Sequence, residues 1–147
     1  MHRRLFVRSS RRAAFTLFEM LIVVALIALL AGLAINNAGK LFDEARKDTA
    51  RLFVTQSLKT PLMSYKYHVG DFPTTEEGLQ ALITPPANGA DRWKGPYVDV
   101  TGGKLVLDPW SSPYQYRYPG TKNPNGYDLW SMGPDRKDGT ADDIGNW

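Results

Sequence analysis

The acidic side chains of the C-terminal run GPDRKDGTADDIGNW hold the most concentrated chemistry in the chain. Asp135, Asp138, Asp142 and Asp143 fall within nine residues, with only Arg136 and Lys137 as local counter-charges. Four like charges this close repel one another. A hard divalent cation would resolve the repulsion, because calcium takes about six to eight oxygens from carboxylates and backbone carbonyls. The spacing is not that of an EF-hand, since no glutamate closes the loop. A solvated Asp-Gly turn accounts for the same residues, so on spacing alone both readings stand.

The second informative acid is Glu19, near the start of the apolar stretch FTLFEMLIVVALIALLAGLAI over residues 15–35. A carboxylate at a bilayer centre costs roughly 2.5–3.5 kcal/mol, and less near the interface. A helix that only had to anchor would not carry one. A partner is expected, and the free α-amine of a neighbouring chain would serve. Other chemistries are thinly supported. The chain has no cysteine, which excludes disulfides, thiolate zinc sites and cysteine nucleophiles. Its two histidines, His2 and His68, are too few for a His-rich zinc centre or a histidine-based triad.

The elements that must position these acids follow from charge and periodicity. The stretch 15–35 is about 31 Å long as a helix, the thickness of a bilayer core. It is longer than the apolar core of a secretory signal, and no convincing cleavage site follows it, so it reads as a retained membrane anchor. Five arginines and no acid precede it: Arg3, Arg4, Arg8, Arg11 and Arg12. They account for the net charge of +3, because the remaining 13 basic residues face 15 acids. Basicity confined to a tail beside a membrane segment fixes orientation, with the C-terminus sent across, and argues against nucleic-acid binding.

Beyond Ile35 the run KLFDEARKDTARLFVTQSLKTPLMSYKYH places Leu41, Ala45, Leu52, Leu58, Leu62 and Tyr65 at helical spacing. Asp43, Glu44, Arg46, Lys47, Asp48 and Arg51 form its wet face. Pro61 is expected to kink or end the helix near Lys59 or Thr60 unless an extra turn forms. Gly70-Asp71-Phe72-Pro73 stops it. Thr74 or Thr75 with Glu77 caps a short helix through Leu82. Apolar runs at 96–100, 104–107, 114–118 and 127–131 predict antiparallel strands. Tyr97, Trp110, Tyr114, Tyr116, Tyr118, Tyr127 and Trp130 are read as core and cross-strand aromatics.

The segment AAFTLFEMLIVVALIALLAGLA resembles the class III signal of type IV pilins and type II secretion pseudopilins. The resemblance implies cleavage between Ala14 and Phe15 by a prepilin peptidase, methylation of the new Phe15 amine, and pairing of Glu19 with the amine of an adjacent subunit. Ala14 stands where the family usually has glycine, and Asn36 where it often has proline. Further on, FPTTEEGLQAL, GPYV, DPWSSPYQYRYPG and the C-terminal run are similar, in this order, to major pseudopilins of type II secretion systems.

That likeness implies an α+β, type IV pilin-like fold: a long N-terminal helix on a small antiparallel sheet with a C-terminal metal-binding loop. It divides the chain into a cleaved leader (1–14), a transmembrane and assembly helix (15–36) and a periplasmic domain (37–147). It also implies one structural Ca2+ held by Asp135 and Asp142 and backbone oxygens. Met132 is the candidate carbonyl donor, Asp143 a ligand or orienting group, and Asp138 carries less weight. The implied role is structural and not enzymatic: a homopolymer in a bacterial inner membrane whose growth pushes folded proteins toward an outer-membrane channel. Its implied partners are copies of itself, minor pseudopilins, an inner-membrane assembly platform and the prepilin peptidase/methyltransferase. The rival readings are a type IV pilin or minor pseudopilin and, in another class, a membrane-anchored periplasmic metal-dependent enzyme or binding module.

Overall fold

The computed structural model describes residues 15–147, without the side chains of Asn36, Asn37 and Thr101. The expected leader, with Ala14 and His2, lies outside the described residues. The chain divides into two compact units, residues 1–41 and 42–147.

Helix α1 spans Leu17–Leu52. Within the first unit every large apolar side chain from Phe15 to Ile35 is exposed, between 43% and 87%. One helix among the described residues is long and apolar enough to cross a bilayer. Its N-terminal end carries the residue pattern T-x-x-E at 16–19.

In the second unit the chain continues through a π-helical turn, Phe53–Ser57, into helix α2, Lys59–Val69. The buried stripe is Ala50, Val54, Leu58, Leu62 and Tyr65, each at most 2% exposed. Four-residue steps overshoot an α-helical turn by about 40° each, so a stripe spaced this way would drift off the core. The wider π turn, where the Leu58 N–H reaches back five residues to the Phe53 carbonyl at 3.4 Å, corrects the drift.

The same turn answers how the helix accommodates Pro61. Helix α2 restarts at Lys59, so Pro61 falls in its first turn, where a missing N–H costs nothing. The interruption therefore lies upstream of the proline, at 53–58, and not at Lys59 or Thr60. Leu41, Ala45 and Leu52 were expected on the apolar face and are exposed instead. Ala50 and Val54 take their place. Gly70 ends α2 with φ +115°, its N–H bonded to the Lys66 carbonyl at 2.9 Å.

A three-stranded antiparallel sheet packs on this helix, in the order β1 (Gln115–Arg117), β2 (Asp128–Ser131), β3 (Ile144–Gly145). Tyr116 faces Leu129 across one ladder, and Ser131 faces Ile144 across the other. Trp110, Tyr116, Leu129 and Ile144 join the helix stripe in one core, completed by Leu79 and Leu82 from a 3-10 turn, Gly78–Leu82. The expected strands at 96–100 and 104–107 are irregular chain. Val98 and Leu105 still pack on the core, but the Tyr97 N–H meets a lone carbonyl, that of Leu82, so no ladder forms. The aromatic reading holds: Phe53 stacks on Tyr114 at 4.2 Å and Tyr116 on Tyr127 at 5.9 Å.

Candidate functional site

The acidic loop 133–143 runs from the end of β2 to the start of β3, so the sheet fixes both its ends. Gly133 opens it with φ +66°, and its backbone lies against Asp142: a Cβ there would come within 2.4 Å of the Asp142 carbonyl oxygen. This closure brings Asp135 and Asp142 together. The Asp142 Oδ2 accepts the Asp135 N–H at 3.2 Å. Both carboxylates then face the Thr140 hydroxyl, with Asp142 Oδ1 at 2.6 Å and Asp135 Oδ1 at 3.5 Å. One hydroxyl proton serves only one of them at a time. The Thr140 hydroxyl and the Asp135 N–H hold the Asp142 carboxyl below the ordinary carboxylate range.

The other two acids turn elsewhere. Asp138 accepts the indole N–H of Trp130 at 2.8 Å, latching the loop to β2. Asp143 accepts the Gly139 N–H with Oδ2, at 2.8 Å, while its Oδ1 is buried and has no partner among the described residues. Burial, then the nearby charges of Asp138 and Asp142, push its carboxyl up against the Gly139 hydrogen bond. Among the described residues no three carboxylates or imidazoles converge as a metal cluster. A cation here would need backbone carbonyls to complete its shell. The donor set nevertheless fits a hard ion: two converging carboxylates, a hydroxyl and an orphaned buried oxygen within one closed loop. Met132 directly precedes Gly133, whose backbone lies against Asp142.

A neighbouring acid that the sequence did not single out is better served by the chain. Asp128, 2% exposed at the start of β2, accepts the backbone N–H groups of Thr121, Lys122 and Asn123 at 2.6, 2.9 and 2.9 Å. The Thr121 hydroxyl adds a fourth bond at 3.0 Å. Burial alone would push its carboxyl up, but these donors outweigh it and the net shift is down. Gly120 makes room, since a Cβ would come within 2.6 Å of Asp128 Oδ1.

Glu19 sits in the first turn of α1 and has a partner in its own chain. Its Oε2 accepts the Thr16 N–H at 2.8 Å and the Thr16 hydroxyl at 2.9 Å, and the Thr16 hydroxyl oxygen accepts the Glu19 N–H at 3.2 Å. This is a capping box, which satisfies two otherwise orphaned helix donors. An acid at this position also suits the positive end of the helix dipole. Among the described residues no hydrogen bond reaches Oε1. The T-x-x-E pattern at 16–19 was the available signal for this local role. Phe15, beside it, is 81% exposed.

His68, in the last turn of α2, lies 3.2 Å from the Tyr97 hydroxyl through Nδ1.

Comparison with known proteins accounts for nearly the whole chain. Residues 37–147 match the family model described as "Type II secretion system (T2SS), protein G", and residues 9–35 match "Prokaryotic N-terminal methylation motif". The type II secretion system core protein G of Pseudomonas aeruginosa is 37% identical over 140 residues, covering 93% of this chain and 96% of that one. The protein of the same description from Vibrio cholerae is 35% identical over 144 residues, covering 93% and 92%. Among solved structures, the major pseudopilin from the type 2 secretion system of enterohaemorrhagic Escherichia coli aligns with a TM-score of 0.59 and 30% identity. That alignment covers 74% of this chain and 87% of the other.

Proposed function

The chain belongs to the family of type II secretion system protein G, and from that premise we propose that it is the major pseudopilin of a type II secretion system. The observation that carries this reading is the match of residues 37–147 to protein G, directly after a methylation signal that ends at residue 35. The likeness of that domain to a major pseudopilin favours a filament-building subunit over a type IV pilin or minor pseudopilin. No catalytic role is proposed.

The proposed chain of events begins in the inner membrane, where the leader 1–14 holds the N-terminus cytoplasmic. A prepilin peptidase cuts between Ala14 and Phe15, and the new amine is methylated. The segment 15–36 spans the lipid and 37–147 folds in the periplasm. The exposed apolar helix side chains are solvated first by lipid and then by the same helix of neighbouring subunits, as an assembly platform and minor pseudopilins start and extend the filament. Growth of that filament drives folded proteins toward the outer membrane.

Glu19 guides register in this scheme. Its Oε2 is committed to the Thr16 cap, while Oε1, which bonds to nothing among the described residues, can take a cation. A methylated Phe15 amine from an adjacent subunit supplies one. The cap keeps the carboxylate aimed at its own helix terminus until that amine arrives.

The acidic loop is proposed to hold one structural Ca2+, through Asp135, Asp142, the Met132 carbonyl and Asp143. When bound, the ion supplies positive charge that cancels the repulsion among these acids. The chain's own residues do the rest. Gly133 permits the closure, Asp138 ties the loop to Trp130, and Thr140 spaces the two facing carboxylates.

Mass spectrometry of the mature protein tests the assembly reading. The expected N-terminus is N-methylated Phe15; a protein that still begins at Met1 overturns it. Glu19→Ala is expected to fold and remain in the membrane but not enter filaments.

A further inference from the structure

The chain contains two Asn-Gly dipeptides, Asn88-Gly89 and Asn125-Gly126, both with exposed asparagines. Asn-Gly is the sequence most prone to spontaneous deamidation, because glycine leaves its backbone nitrogen sterically free. That nitrogen, on losing its proton, attacks the asparagine side-chain carbonyl carbon. A C–N bond forms, ammonia leaves, and water opens the resulting succinimide to aspartyl or isoaspartyl. The net change is an amide plus water giving a carboxylic acid plus ammonia, with no redox step.

We propose that Asn88 is a deamidation site in the folded protein and that the fold protects Asn125. At Gly126 the N–H donates to the Asn123 carbonyl at 2.9 Å, and the carbonyl accepts the Gly120 N–H at 2.8 Å. Asn123 is itself pinned by Asp128 and, through Nδ2, by Asn146 Oδ1 at 3.1 Å. The Gly126 nitrogen can neither shed its proton freely nor swing toward its neighbour's side chain. At Gly89 only the carbonyl is engaged, by the N–H groups of Arg92 and Trp93 at 3.1 and 3.2 Å. Among the described residues its own N–H has no acceptor.

The fold also keeps glycine at 89. Its φ is +86°, and a Cβ would lie 3.1 Å from Val69 Cγ1. The labile dipeptide is thus a by-product of the close approach between this loop and the end of α2. Conversion adds a negative charge to the loop. The isoaspartyl form also adds a backbone carbon just before the turn that presents Trp93, whose indole N–H donates to the Ala81 carbonyl at 2.8 Å.

The test incubates the full chain in detergent at mildly alkaline pH, folded and in urea, and follows both peptides by mass spectrometry. Each site is normalised to its own rate in urea. Asn88 is expected to convert at close to its unfolded rate, and Asn125 to be slowed by at least about tenfold. Equal protection at the two sites overturns the proposal, as does stronger protection at Asn88. In Asn88→Gln the early acidic variant is expected to disappear; its persistence would count equally against the assignment.

Discussion

Two acid-centred loops flank β2, and the chain treats them in opposite ways. Before the strand, Asp128 has both carboxylate oxygens occupied by three backbone N–H groups and a hydroxyl, and its ionised form is favoured. After the strand, four aspartates share few donors, and Asp143 keeps a buried oxygen with no partner among the described residues. One loop closes around its acid with the chain's own dipoles. The other is closed in shape but unbalanced in charge. Asp128 is a lone, buried acid that the chain itself satisfies, whereas the second loop gathers four acids that are exposed or half-buried and leaves one of their oxygens without a partner among the described residues.

The sharpest way to break the comparison is Asp128→Ala. It takes the acceptor from three backbone N–H groups and removes bonds to a charged group, each worth about 1.5–3 kcal/mol. We expect a loss of roughly 3 kcal/mol or more in urea unfolding, with or without calcium. If Asp128→Ala melts like the parent, the first loop is not held by its acid.

Acid titration sharpens the same point. The folded-state carboxyl of Asp128 titrates lower than in the unfolded chain. Its stabilisation is therefore complete above the ordinary aspartate range and is lost as pH falls through the depressed folded value. Asp128→Asn should flatten that acid limb of the melting curve; an unchanged limb contradicts the assignment.

The second loop should respond to calcium instead. At a free concentration of about 100 times Kd, an ion binding only the folded state adds about 2.7 kcal/mol. The parent is expected to melt higher with calcium and lower with chelator, and Asp135→Ala to lose that difference. An unchanged midpoint in Asp135→Ala relative to the parent, across the calcium series, counts against the site.

The smallest expected effect belongs to the capping box of the second unit. Thr74 N–H donates to Glu77 Oε2 at 2.9 Å, and Glu77 N–H to the Thr74 hydroxyl at 3.2 Å. Thr74→Ala should cost about 1 kcal/mol by thermal melting, independent of calcium. A calcium-dependent loss would mean that this cap and the acidic loop are not energetically separate.

Much of this was readable in the residues. The apolar stretch, the stop at Gly70, the T-x-x-E cap before Leu82 and the aromatic core follow from local chemistry. So did the pairing of Asp135 with Asp142, once the family likeness was added. What was not readable depended on how the chain folds back on itself. Asp128 gives no signal because its donors at 121–123 stand five to seven residues before it, at no capping spacing, and converge only when that loop closes. The short β3 has two residues, one a glycine, and exists because β2 offers an edge. The runs at 96–100 and 104–107 have the pattern of strands but no neighbour to pair with. At Glu19 the T-x-x-E spacing also spelled out a local partner, Thr16, which caps the helix through the same carboxylate.

The π turn at 53–57 is a splice that holds one residue more than an α turn. Deleting one residue there would restore ordinary winding and keep Leu62 and Tyr65 facing the core, whereas inserting a second would carry them about 100° round the helix. The surplus residue is therefore expendable to the packing, and what the splice does that plain winding could not is put Pro61 in a first turn, where its missing N–H breaks no bond.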